Sequence, residues 1–482
     1  MKVIFISPWT KSLFGDERVI PGHPHMGIAY LCAVLKKNNH KVKIFDQAIE
    51  NNDLKLFLLI KKFNPDIIGI TAFSYCYKYV LELIEKIKSR SKVPIIIGGP
   101  HVSAVRTEVL RDSKADYAMK LEAEESFLTF INELKKKKTD YKSVPNLIWR
   151  NEDGEIVENL DAPFIMDLDK LPFPDYSEFK FKKYPNYETQ TIPIITSRGC
   201  PYGCNYCSVR LSMGRGFRAR SPENVVNEID KWCKKGFKNF EINDDCFTLD
   251  LKRAENICDL IIKKKLKITY QLYNGIRVDR VTLKLLRKMK ASGCIFLSYG
   301  CESGNQRIID RIGKKIKLSQ VSKAVKLTNL VGIKNSVNFI IGHPGETYKT
   351  AMESIKFAEK LPTNFVNFYN VIPYPGTELY EWIEKNEAWI YHPDYVVKNI
   401  GSRDLKPVFE TPQFREGERR DVLKKGFALY DKTILRFRFG KIVGGLLYIL
   451  SRNKSLYTKG IRFALGNRLG FKIYSLVTHR SR

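Results

Sequence analysis

The stretch TSRGCPYGCNYC, residues 196–207, places Cys200, Cys204 and Cys207 within eight residues, directly behind the apolar run PIITS (193–197). Thiolate sulfur is a soft ligand that suits zinc and iron–sulfur clusters. A structural zinc site wants four ligands, usually as two separated pairs. Here a lone C-x-x-x-C-x-x-C triplet stands with no His or Cys nearby to complete a tetrahedron, and the next thiol, Cys233, falls on a predicted helix. A 4Fe–4S cluster takes four thiolates as a rule, so three leave one iron open to an outside ligand. That asymmetry is what a cluster needs if it is to bind and reduce a substrate. Chance clustering or a zinc turn are the plain alternatives. The spacing, the loop glycines and the strand just before argue against them.

Outward from the triplet, residues 191–385 read as a series of strands and helices. The strands are PIITS (193–197), NFEIND (239–244), ITYQLYN (268–274), CIFLSYG (294–300), SVNFIIG (336–342) and FVNFYNV (365–371), with helical stretches such as 222–235 and 281–293 between them. Six strand–helix units predict an incomplete (β/α)6 barrel with its site at the carboxyl ends of the strands. Upstream, five short apolar runs alternate with helical segments: VIFI (3–6), KVKIF (41–45), DIIGIT (66–71), PIIIGG (94–99) and DYAM (116–119). This predicts a doubly wound, parallel five-stranded α/β domain over 1–140, whose ligands sit beyond the strand ends. Residues 141–190 hold five prolines, including Pro145, Pro163 and Pro185, and read as an extended linker that packs on its neighbours. Residues 386–482 form a basic, mainly helical C-terminal region that is amphipathic in part.

Composition narrows the setting. The 482 residues carry a formal charge of +30 and ten cysteines. No signal peptide and no bilayer-spanning apolar run is evident, so a cytoplasmic protein with reduced thiols is expected. From Lys432 to Arg482 there are twelve Lys or Arg and no Asp or Glu, interleaved with apolar and aromatic residues. Such a tail suits a helix lying in an anionic membrane surface, which would make the protein peripheral and hint at a lipid-like substrate. A basic cap packed on the barrel with its apolar face buried is the even alternative. Nucleic acid competes for the same chemistry and is not expected as the partner.

The cysteine triplet resembles that of the radical S-adenosylmethionine (SAM) superfamily, and the first domain resembles the cobalamin-binding domain that precedes it in one large subgroup. The likeness runs through FRARSPENVVNEI (217–229), EINDD (241–245), YGCESG (299–304), NFIIGHPGET (338–347) and IPYPGTELY (372–380). In the first domain HPHMGIAYLCAVLKKNNHKVKIFD (23–46) and PIIIGGPHVSA (94–104) carry it. The resemblance implies a 4Fe–4S cluster on the three cysteines. It implies SAM contacts from Tyr206, Asp244, Asp245, Glu302, Ile341 and Gly342, with Arg218 or Arg220 for the SAM carboxylate. It implies cobalamin contacts at the strand ends: Ser7, Thr71, Gly98, Gly99 and His101. Taken one by one, several of these residues fit a turn, a helix cap or a surface histidine equally well. Asp46 is followed by QAIEN, so no histidine two positions on can reach cobalt, as a D-x-H-x-x-G motif would provide.

The implied chemistry is reductive cleavage of SAM, hydrogen abstraction from an unactivated carbon and methyl transfer from methylcobalamin, supported by a cellular reductant such as flavodoxin or ferredoxin. The substrate is expected to be a small or lipid-like molecule. An anaerobic oxidative cyclase of the magnesium-protoporphyrin type shares both domains without methyl transfer. A non-catalytic cobalamin or iron–sulfur sensor is the remaining alternative, against which the set of SAM-facing motifs argues.

Overall fold

The computed structural model describes residues 1–8, 21–50, 52–391 and 406–452. Its first sheet contains β1 (Lys2–Ser7), β2 (Lys41–Asp46), β3 (Ile67–Thr71), β4 (Ile95–Gly98), β5 (Tyr117–Met119), β6 (Leu147–Arg150) and β7 (Ile156–Glu158) in the order β2-β1-β3-β4-β5-β6-β7. The first five strands are parallel, and β6 and β7 continue the sheet antiparallel. Alternate residues of β1 feed opposite cores. Val3 and Phe5 join one, while Ile4 and Ile6 join the other. That is the two-sided burial a doubly wound sheet requires. Because β2 and β3 flank β1 on opposite sides, the crossovers diverge there and leave a crevice at the carboxyl ends of the strands.

The expected linker does more than connect. Residues 147–158 form a hairpin that enlarges the five-stranded sheet to seven strands, turning through Gly154 at φ +82°. Further on, Tyr176, Phe179 and Tyr184 are buried in an apolar interior that runs without a break from the first domain into the second. Asp175 N–H donates to Ala29 O, and Lys36 and Lys43 form ion pairs with Glu178. The segment fastens the two domains together.

The second sheet holds β8 (Thr191–Ile194), β11 (Asn239–Ile242), β12 (Thr269–Ile276), β13 (Cys294–Glu302), β14 (Lys334–Ile341) and β15 (Phe365–Asn370), all parallel, in chain order from one edge to the other. A two-stranded ribbon, β9 (Ser197–Arg198) with β10 (Arg218–Ala219), stands apart from it. The last barrel strand is covered by the helix Glu416–Phe439, which comes so close at Gly426 that a Cβ there would lie 2.5 Å from the Phe368 ring. The helix Lys441–Arg452 follows. Among the described residues no helix is long and apolar enough to cross a membrane. Residues 453–482 of the basic tail lie outside the described residues.

Candidate active site

The cysteine loop is held at both ends. Ribbon pairing of Arg198 with Arg218 and of Ser197 with Ala219 closes residues 199–217 into one loop. At its neck Gly199 has φ +82°, and a Cβ there would collide with Gly216 O, so only glycine fits. Gly203, inside the loop, lies against Gly313, whose own Cβ would come within 2.5 Å of Gly203 O. The acidic pair after β11 anchors the entry. Asp244 accepts from Thr196 N–H (2.6 Å), Thr196 Oγ1 (2.5 Å) and Ser197 Oγ (2.6 Å), and Asp245 accepts from Gly199 N–H (2.9 Å). Neither aspartate caps the following helix; Asp250 does.

Cys200, Cys204 and Cys207 are half-buried. Burial pushes the Cys207 thiol up to about 11 and raises Cys204, while Lys314 and Arg277 act on the triplet as nearby cations. The neighbouring buried Cys246 thiol is the first influence on Cys200 and lowers it. Among the described residues no three His, Cys, Asp or Glu side chains converge as the ligands of a single ion would. Thiolates that each hold a different iron of a cubane need not converge. Three soft donors on one loop with cations beside them therefore fit a cluster better than a lone zinc.

The other expected SAM-side residues divide into two groups. Tyr206 lies with its ring 5.2 Å from His343, and burial, with Glu302 nearby, raises its phenol far above the ordinary value. Glu302, at the end of β13 with φ +70°, pairs with Lys314 Nζ at 2.6 Å. Ile341 is buried at the end of β14, and Gly342 N–H donates to Glu346 Oε2 at 2.6 Å. Tyr206, Glu302 and Asp245 gather at the cysteine loop, while Gly342 lies against Arg419. Asp244, Arg218 and Arg220 instead have their polar atoms engaged by protein, apart from the buried Nε of Arg218. Arg218 pairs with Glu122 (2.6 Å) and donates to Ile165 O and Met213 O. Arg220 pairs with Glu228 and donates to Ile195 O and Asn224 Oδ1. Sequence motifs name residue types but not which partner takes them: Glu122 reaches Arg218 across 96 residues of chain, and Glu228, 8 residues on in the same motif, takes Arg220.

On the first domain, a cavity of about 250 Å³ opens beyond β3 and β4, lined by Thr71, Gly98 and Gly99, and closed by Ile195, Arg198, Ser212 and Met213 of the second domain. Gly99, at φ +104°, keeps its backbone against Ala72 O, 2.7 Å from where a Cβ would stand. A second cavity of about 360 Å³ lies at the end of β1, lined by Ser7, Ala48, His23, His25, Phe73 and Tyr75. His101 lines neither. It is buried, with Nδ1 3.0 Å from Ser74 Oγ and its ring 4.0 Å from that of Tyr77, and burial lowers it to about 4. Asp46 accepts from Tyr184 OH and Ala48 N–H and is bound into the fold.

The two halves meet at Arg198, two residues before the first cysteine. Its guanidinium donates to Glu122 Oε1 (2.8 Å) and Glu124 Oε1 (2.6 Å) of the first domain and lies 5.2 Å from the Tyr30 ring. The cluster loop and the wall of the strand-end cavity thus share one side chain. Nothing in the local sequence around Arg198 announces this pairing, which spans more than seventy residues of chain.

Comparison with known proteins agrees with this layout. Residues 19–131 match the B12 binding domain and residues 194–358 the Radical SAM superfamily. The chain is 33% identical over 433 residues to an uncharacterized methyltransferase of Pyrococcus horikoshii, covering 89% of this chain and 92% of that protein. The chain belongs to the cobalamin-dependent radical SAM family. It is also 26% identical over 477 residues to the anaerobic magnesium-protoporphyrin IX monomethyl ester cyclase of Rubrivivax gelatinosus, covering 95% of this chain and 83% of the cyclase. The solved cobalamin-dependent radical SAM enzyme OxsB shares the fold with a TM-score of 0.72 and 18% identity, covering 98% of this chain and 74% of OxsB. As a radical SAM enzyme of this family, the protein has its two characteristic domains in the order the sequence predicts. Two residues escaped sequence reasoning: Cys246, directly after the acidic pair, and Arg198, directly before the loop.

Proposed function

We propose that this enzyme is a C-methyltransferase acting on an unactivated carbon of a small or lipid-like substrate. The observation that carries the reading is the shared wall. The cavity at the strand ends of the first domain is bounded by Ile195, Arg198, Ser212 and Met213, which flank or belong to the cysteine loop of the second. A substrate lying between the domains would face both. When bound, the cluster and SAM supply a carbon radical and cobalamin supplies a methyl group. In this reading Cys200, Cys204 and Cys207 hold the cluster; Tyr206, Asp245, Glu302, Ile341 and Gly342 surround SAM; and Thr71, Gly98 and Gly99 line the cobalamin cavity. Asp244, Arg218 and Arg220 position the loop. The apolar walls of the cavity, including Ile70, Phe73 and Met213, exclude water from a reactive carbon. The net positive charge suits docking of an acidic one-electron reductant such as flavodoxin or ferredoxin.

The P. horikoshii relative is named a methyltransferase and the Rubrivivax relative a cyclase, so product analysis decides between them. Enzyme incubated anaerobically with host extract and methyl-labelled SAM should place label on carbon in a product. An unlabelled, cyclised or dehydrogenated product would favour the cyclase.

The C-terminal helices bear on the substrate. In the helix Lys441–Arg452, Gly444 packs against Leu435 and Arg436, while Ile442 (80% exposed), Leu446 (57%) and Ile449 (65%) face outward. This outward apolar face supports a membrane-surface helix over a packed cap, since a cap would bury it. Full-length enzyme should float with anionic vesicles at low salt. A Leu446→Glu/Ile449→Glu variant should stay at the bottom, and equal flotation of the two would remove the membrane contact and the lipid-like substrate with it.

A further inference from the structure

The turn before the first helix, His23-Pro24-His25, brings two histidines to the strand-end cavities. His25 is the N-cap of the helix Met26–Lys37, and its Nδ1 accepts the Ile28 N–H at 3.1 Å. A ring nitrogen that accepts cannot carry the proton. Burial lowers His25 to about 4, so near neutrality the ring holds a single proton, and that proton sits on Nε2. This Nε2–H is buried and has no hydrogen-bond partner. Leaving a buried donor unpaired is unfavourable, so its partner is to be sought in what fills the space beside it. His25 lines both cavities, together with Phe73, whose ring is 5.4 Å away. The two rings stand between the space bordered by Thr71, Gly98 and Gly99 and the space bordered by Ser7 and Ala48.

We propose that His25 is a cobalamin-binding residue that donates its Nε2–H to an amide oxygen of the cofactor and does not ligate cobalt. The inference rests on the cobalamin reading of the first domain and assigns a contact within it. The rim of the corrin carries several amide side chains, whose carbonyl oxygens are acceptors suited to a neutral N–H. A ligand nitrogen must instead offer a lone pair, and the only lone pair of His25 is committed to Ile28. His23 has the opposite arrangement. Its Nδ1 lies 3.0 Å from Pro24 O, and since a carbonyl only accepts, the lone pair of His23 is left on Nε2.

His25→Ser separates the two duties of the residue. Serine is a favoured N-cap and keeps an acceptor for Ile28, while the Nε2–H is lost. Wild-type and H25S full-length protein are titrated with hydroxocobalamin, and the bound cofactor is then reduced to the cob(II) state for electron paramagnetic resonance. The expected result is about fivefold weaker affinity in H25S, the worth of one neutral hydrogen bond, with an unchanged melting temperature and no nitrogen splitting lost from the spectrum. A splitting that persists in H25S arises from His23 or the nucleotide base and agrees with the inference. Equal affinities would overturn it, as would a nitrogen splitting that disappears in H25S. Failure of the wild type to retain hydroxocobalamin would instead overturn the cobalamin reading, and the inference with it.

Discussion

Replacing Arg198 by methionine removes one of two cations, the other being Arg218, that pair with Glu122 across the two domains. The side chains of Arg198, Glu122 and Glu124 are 7%, 4% and 9% exposed, so the pairing is buried on all sides. Glu122 keeps Arg218 as a partner at 2.6 Å, which leaves Glu124 as the orphan. Breaking one side of a buried pair costs about 3–5 kcal/mol, because an uncompensated charge stays behind. The loss should be largest near pH 7 and smaller near pH 5. In the wild type desolvation is the largest single influence and pushes the Glu124 carboxyl up, but Arg198, a backbone hydrogen bond and Arg218 together hold it below its usual range, stabilising the fold above that range. Without Arg198, desolvation raises Glu124 instead, and protonation on acidification relieves the penalty. The double variant Arg198→Met/Glu124→Gln should recover about 2 kcal/mol of the loss, since neither charge is then stranded. Urea unfolding followed by tryptophan fluorescence and circular dichroism reads all three proteins. A loss under about 1 kcal/mol in R198M, or a double variant no more stable than the single, would refute the reasoning.

Alanine at Cys200, Cys204 and Cys207 together should abolish both the visible absorption of the reconstituted cluster and formation of 5′-deoxyadenosine; persistence of either overturns the ligand assignment. Gly99→Val should weaken hydroxocobalamin retention, because a side chain at φ +104° would press on Ala72 O and displace the cavity wall; normal retention by a folded variant would contradict that placement. His101 is lowered to about 4 by burial, so the stability it confers is present above pH 6.5 and fades as pH falls toward 4. Across that interval His101→Gln should flatten the pH dependence of unfolding by at most about 1.4 kcal/mol per pH unit, and an unchanged slope in urea titrations would show that His101 takes up its proton in the folded state.

The parallel strands of both sheets were legible because each is a short, buried, β-branched run between helices of ordinary length. DIIGIT became β3, with every residue of Ile67–Thr71 buried, and SVNFIIG became most of β14. The hairpin 147–158 was not legible. LIWR is too short to show a period, and the prolines around it drew the whole segment into one extended linker. The cysteine loop announced itself through spacing alone. Its supports did not, since Asp244 reaches back 48 residues to Thr196 and Arg198 reaches 74 residues to Glu124, distances over which no sequence pattern is periodic. His101 illustrates the converse. A histidine after a Gly-Gly turn suggested a ligand contact, yet packing on Tyr77 and a hydrogen bond with Ser74 account for its polarity within the fold.

The central claim is that one chain joins radical generation to methyl transfer through cobalamin. Its most direct test needs no substrate. Anaerobic, reduced enzyme carrying a reconstituted cluster and cobalamin is incubated with SAM labelled in its methyl group, and the cobalamin and nucleoside products are separated by mass. Labelled methylcobalamin together with 5′-deoxyadenosine is the predicted result. Formation of 5′-deoxyadenosine with cobalamin left unmethylated would contradict the methyltransferase account and point to radical chemistry without methyl transfer.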